Sequence, residues 1–274
     1  MTLSRHTFLL KFGIAAAAFM IAGLAAISFK ILPYYPELVD AALRRSGYVF
    51  INARKLSPFH YAAYITMAAS IVYALLTLIL LFYYFEKTQS VEAHFFMFFV
   101  FSFVFESLRA ILPLRMAFDL PSIYLSFAAH FLVFCRYFGI FSLFCASLYS
   151  AGFKTKEENL IFPLIIIALF IAFRIPVNKY TWDTSLCLVS AYPLAFWALE
   201  ISTALLTVLS FLCGAFMRGQ KEYYIIGAGA FFALAGRMLL FSGDTLILPV
   251  IGLCSLSAGT YIICSNLRRL YLWV

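Results

Sequence analysis

The chain has 274 residues, of which 65% are apolar and 12% charged, with 32 Phe, 17 Tyr and a formal net charge of +8. An ordinary soluble domain is roughly 45–50% apolar and about 25% charged. There is too little polar side chain to coat a soluble globule of this length, which excludes a cytosolic enzyme or a nucleic-acid-binding domain and makes the lipid bilayer the expected solvent.

A helix needs about 20 apolar residues to cross the hydrocarbon layer. In chain order, stretches at about 7–29, 61–85, 94–116, 122–150, 159–177, 186–217, 222–241 and 246–266 approach or exceed that length. The expected fold is an all-α polytopic membrane protein, a bundle of about eight transmembrane helices (a signal anchor plus seven) with short loops. Its expected divisions are a signal-anchor helix at 1–29, a short extracytoplasmic segment at 30–60 and a seven-helix membrane bundle at 61–274. The apolar run between Lys11 and Lys30 exceeds the roughly 7–15 residues of a cleavable signal, so Gly23-Leu24-Ala25 is read as part of a retained anchor.

The segment from Lys30 to Phe59 opens with Pro33 and Pro36 and continues from Glu37 to Arg45, with Leu38, Val39, Ala42 and Leu43 at helical spacing and Gly47 as a stop. This predicts a short amphipathic helix lying on the membrane surface, with a lid over the bundle as the functional alternative. The later connections run to about 5–12 residues, so consecutive helices are expected to be antiparallel neighbours.

Orientation follows from the basic residues. Arg5, Lys11, Lys87, Lys154, Lys156, Arg218, Lys221, Arg268 and Arg269 fall on the side of the N-terminus, whereas the short loops on the other side after the first connection hold only Arg115, Arg174 and Lys179. Short loops rich in Lys and Arg stay inside, so both termini are expected to be cytoplasmic, in an inner membrane. The tail from Leu267 to Val274, with Arg268, Arg269, Tyr271 and Trp273, reads as an interfacial stop.

Ionisable groups deep in a span cost about 2.5–3.5 kcal/mol each on insertion scales, so they are the candidate site. The third span carries Glu106 and Arg109 on one helix face, the fourth His130 and Arg136, the sixth Glu200, and the seventh Arg237 near its outer end. On an ideal rise per residue, Glu106 and Arg109 lie in the outer half, and Arg136 and Glu200 lie near the midplane. These groups can meet only if the third, fourth, sixth and seventh spans surround one site. Three Arg then face two Glu, which leaves one guanidinium for a small anionic or zwitterionic ligand entering from outside. Alternatively, the charges are ion pairs that fix helix register, with Arg237 snorkelling to the headgroups. His130 alone reads as a packed, hydrogen-bonded histidine.

Cys135, Cys145, Cys187, Cys213, Cys254 and Cys264 have no metal-ligand spacing, and His60 and His94 start spans at opposite ends, so no metal or other cofactor is expected. Nucleophile-elbow, metalloprotease and phosphate-loop motifs are absent from the sequence, and enzymatic activity is not expected.

With Glu106-Ser107-Leu108-Arg109, Gly236-Arg237, an outer segment and seven further helices, residues 30–274 resemble the membrane part of bacterial seven-helix sensors. These are receptors with diverse intracellular signalling modules and membrane-associated sensor domains. The outer segment is much shorter than a ligand-binding domain, and no kinase or cyclase output is encoded, so no functional residue is carried over. The resemblance implies ligand or partner binding at the outer side and signalling through a membrane or cytoplasmic protein partner. A small transporter, or a structural subunit of a membrane complex, is the alternative expectation.

Overall fold

The computed structural model describes residues 3–31, 33, 49–50, 62–85, 90–118, 120–153, 157–174, 177–182, 186–190, 192–241 and 247–272. The expected surface helix over Glu37 to Arg45 lies outside the described residues, as do His60, Lys87, Lys154 and Lys156.

The first helix, α1 (Leu3–Ile31), buries Leu10, Ala17, Leu24 and Ile31, a seven-residue repeat that keeps one stripe against α2 (Ala62–Phe85). The third span begins as α3 (Val91–Ser102), tightens into a 3-10 segment at Phe103–Ala110 and resumes as α4 (Ile111–Phe118). It is followed by α5 (Ser122–Ser150), α6 (Glu157–Arg174), α7 (Pro193–Arg218), α8 (Lys221–Phe241) and α9 (Ile247–Leu272). Among the described residues seven helices are long and apolar enough to cross a membrane, the third span counting as one. The eighth, α6, has 18 residues and reaches about 27 Å, just under the hydrocarbon thickness of about 30 Å. The chain is thus a multi-pass helical membrane bundle, and its exposed Phe, Leu and Ile side chains on α1, α6 and α7 face lipid.

Two boundaries differ from the sequence reading. The fifth span ends at Arg174, and the sixth starts at Pro193, not near residue 186. Pro176 cannot continue a helix, while Pro193 has its φ already set for a first helical turn. Between them Val177–Trp182 forms β2 and Leu188–Ser190 forms β3, an antiparallel pair. β1 (Val49–Phe50) joins β2 in parallel, Val49 opposite Thr181 and Phe50 opposite Trp182. This small sheet ties the first connection to the loop before α7 at one end of an otherwise helical bundle. We call it the outer end, because the expected orientation puts it outside.

Lipid tails are as apolar as Leu, so helices in a membrane hold together by close packing and not by the hydrophobic effect. The closest pair is α8 with α9. A Cβ on Gly252 would stand 2.6 Å from the Leu240 nitrogen, and one on Gly259 would stand 2.5 Å from the Gly229 oxygen, so only glycine permits this backbone approach. The interior is aromatic: Phe95, Phe96, Phe99 and Phe103 are all buried, with Phe99 and Phe103 edge to face at 5.3 Å and Phe95 stacked on Tyr149 at 5.6 Å.

Candidate functional site

The 3-10 segment decides how the third span presents its charges. With 3.0 residues per turn, positions i and i+3 eclipse, so Phe103, Glu106 and Arg109 stand in one row. Apolar periodicity alone reads this stretch as continuous α-helix. In the tighter turn Glu106 and Arg109 form a buried ion pair, with side chains each 1% exposed.

From α5, Arg136 reaches the same carboxylate with two parallel bonds: Nε donates to Glu106 Oε1 at 2.8 Å and Nη2 donates to Oε2 at 2.9 Å. This is the bidentate geometry that suits a guanidinium to a carboxylate. Glu106 is therefore shared by two arginines on two spans. Arg237 of α8 meets Glu200 of α7 at 3.4 Å and donates from Nη2 to the Arg136 carbonyl at 3.0 Å. The sequence allowed Arg237 to snorkel to the outer headgroups; instead it is buried at 1% exposure. Its neighbour explains the direction. Gly236 is spent on the contact with α9, and the next residue, about 100° round the helix, turns toward α5 and α7.

All three guanidinium groups gather around the Phe241 ring, with Cζ of Arg136, Arg237 and Arg109 at 4.6, 4.9 and 5.2 Å from its centroid. A ring face attracts a cation at such distances. The same ring packs at 5.7 Å on Phe103, which links the cluster to the aromatic interior. Five of the six sequence candidates, Glu106, Arg109, Arg136, Glu200 and Arg237, thus meet where four spans converge.

His130 does not join them. Its Nδ1 lies 2.6 Å from the Ser126 carbonyl one turn back, and its ring stacks on Phe173 at 6.1 Å. It lines an apolar groove of about 380 Å³ between α5 and α6, with Phe127, Phe134 and Phe173.

Two features of the cluster are chemically open. Among the described residues no hydrogen-bond acceptor meets Nε of Arg109 or Nε of Arg237. The Arg136 and Glu200 side chains keep 21% and 23% of their surface accessible, although their partners are closed off. Beside Arg136 lies the loop between β2 and β3, whose Cys187 sulfur accepts from Nη2 at 3.5 Å. The preceding Leu186 has φ of +60° and is buried at 4% in an apolar cluster with Leu24, Ile31 and Met67. A leucine held in the left-handed region costs about 1–2 kcal/mol, which its burial offsets.

A second polar cluster, at the opposite end of the bundle, escaped the sequence reading. Glu92, in the first turn of α3, is buried at 3%. It accepts from the Tyr271 hydroxyl and, at 3.5 Å, from the Tyr223 hydroxyl. Tyr223 in turn accepts from Arg218 Nη1 at 2.8 Å, and Arg218 Nη2 donates to the Tyr149 carbonyl at 2.5 Å. Tyr271, expected at the lipid interface, is instead drawn inward by this carboxylate. The sequence signal was Ser90, an N-cap whose side chain accepts from the Ala93 amide, placing Glu92 at a helix start.

No protein-family model matches the sequence, and a comparison with curated proteins finds none similar to it.

Proposed function

We propose that this is a sensor-like inner-membrane module with cytoplasmic termini, which binds a small anion at the arginine cluster from the outer side and passes its state to a protein partner. The observation that carries the reading is the charge imbalance. Among the described residues, three guanidinium groups gather on one ring and only two carboxylates pair with them, two buried N–H groups meet no acceptor, and part of Arg136 is accessible. A cation left over in low dielectric is costly, and an anion brought to it supplies the missing charge and the missing acceptors.

Cys187, which follows Leu186, contacts the partly accessible Arg136, and we place ligand entry beside it. Phe103 and Phe99 run from Phe241 toward the other end, and a shift of the 3-10 segment on binding would move them together. A transporter would need the same anion to cross that aromatic block, so the sensor reading is preferred.

The test uses purified full-length protein with phosphate, succinate and glutamate as probes, followed by thermal denaturation. At least one probe raises the midpoint in wild type, and Arg136→Gln abolishes the rise. Failure of all three probes to shift wild type overturns the anion site. Uptake of the stabilising probe by proteoliposomes would overturn the sensor reading in favour of transport.

A further inference from the structure

At the end of the bundle opposite the sheet, Glu92, Tyr149, Arg218 and Tyr271 line a cavity of about 540 Å³ together with Phe153 and Met217. It is independent of the arginine cluster, from which the aromatic interior separates it. We propose that this cavity binds the head group of a phosphatidylethanolamine lipid, with the ammonium on Glu92 and the phosphate on Arg218.

The cavity offers two opposite charges at unequal depth. Glu92 is a carboxylate buried at 3% whose donors among the described residues are neutral hydroxyl groups, so no described cation contacts it. A primary ammonium reaching it would supply both a charge and directed donors. Arg218 is exposed, tethered by one nitrogen to the Tyr149 carbonyl and by another to the Tyr223 hydroxyl, with Cζ 5.2 Å from the Tyr223 ring. A guanidinium so fixed is suited to a phosphate at the mouth.

The setting favours a lipid over a soluble zwitterion. The cavity opens at the end of the spans, the depth at which headgroups lie, and Arg268 covers Tyr84 at the same end at 4.9 Å. The remaining described walls are apolar, with Phe153 47% and Met217 74% exposed, which offers an apolar margin for acyl chains.

The ligand chemistry requires N–H donors on the cation and a phosphodiester. Phosphatidylglycerol lacks the first, and phosphatidylcholine has the charge but no N–H. Full-length protein in detergent, supplemented with equimolar phosphatidylethanolamine, phosphatidylglycerol and phosphatidylcholine, is analysed by native mass spectrometry for retained lipid. Phosphatidylethanolamine is expected to be retained about tenfold over either competitor, the effect of one charge-assisted hydrogen bond. Glu92→Gln is expected to bring phosphatidylethanolamine and phosphatidylcholine to parity. Arg218→Gln should weaken retention of phosphatidylethanolamine and phosphatidylcholine together. Equal retention of the three lipids by wild type, or undiminished retention of phosphatidylethanolamine in Arg218→Gln, overturns the proposal. Displacement of the lipid by millimolar glycerophosphoethanolamine would overturn the lipid source in favour of a free zwitterion.

Discussion

Glu106 and Arg136 are partners in one ion pair, yet removing them should not cost the same. Glu106→Leu strips the carboxylate from two guanidinium groups at once. Arg109 has no route to water, since its side chain is 1% exposed and its Nε already lacks an acceptor. Orphaning a buried charge costs about 3–5 kcal/mol. Arg136→Leu removes two bonds of 2.8 and 2.9 Å but leaves Glu106 paired with Arg109, so its cost is that of a charge-assisted hydrogen bond, about 1.5–3 kcal/mol. The double variant should cost little more than Glu106→Leu alone, because Arg109 stays unpaired in both. Adding Arg109→Leu removes the last orphan and should recover most of the loss. Reversible unfolding of wild type and the four variants in mixed micelles measures these differences directly. Equal costs for the two single variants, or a double variant equal to their sum, would refute a carboxylate shared by two arginines.

Other outcomes follow from the packing. Gly252→Leu places a side chain where a Cβ already meets the Leu240 nitrogen at 2.6 Å, and should cost at least about 1–3 kcal/mol, whereas Gly23→Leu, with nothing within 4 Å, should be neutral in the same unfolding assay. Leu186→Gly relieves the strain at φ of +60° and loses a buried side chain, two terms of similar size, so stability should change by less than about 1.5 kcal/mol while maleimide labelling of Cys187 accelerates. Unchanged labelling would show that Leu186 does not close the mouth. Tyr271→Phe takes a donor from Glu92 and should lower stability by about 1–3 kcal/mol, against no change for the lipid-facing Tyr261→Phe. A reporter fused to the C-terminus should be active only if it works in the cytoplasm; activity confined to the other side would invert the orientation.

The spans were legible because the bilayer imposes one length on every crossing helix, and a chain with 12% charge leaves the loops visible between apolar runs. The buried charges were legible for a related reason, since an ionisable side chain at membrane depth stands out against its surroundings. Their pairing was open by one choice: Glu106 does meet Arg109 and Arg136, whereas Glu200 takes Arg237, which the sequence also placed at the outer surface. What misled was treating each helix as smooth. Gly236 admits α9, and that close approach sends Arg237 inward.

The features that stayed hidden share a physical cause, which is that they depend on partners far away in the chain. The 3-10 segment has the same apolar periodicity as the α-helix around it, and only the row of Phe103, Glu106 and Arg109 against Phe241 rewards the tighter turn. The sheet joins Val49–Phe50 to strands more than a hundred residues later, a pairing no local pattern encodes. Glu92 drew no notice in the sequence, and its burial depends on Tyr223 and Tyr271 arriving from α8 and α9. Both polar clusters are therefore products of the α8–α9 pair: Arg237 and Phe241 at one end, Tyr223 and Tyr271 at the other, held in register by glycines that let the two backbones touch. A displacement of that pair as one body would disturb both clusters together, which would give the proposed anion site an alternative route to the opposite face besides a shift of the 3-10 segment. Disulfide cross-linking of α8 to α9 should then leave communication between the ends intact, whereas cross-linking the pair to α7 should abolish it. The reverse result would place the moving element in the 3-10 segment instead.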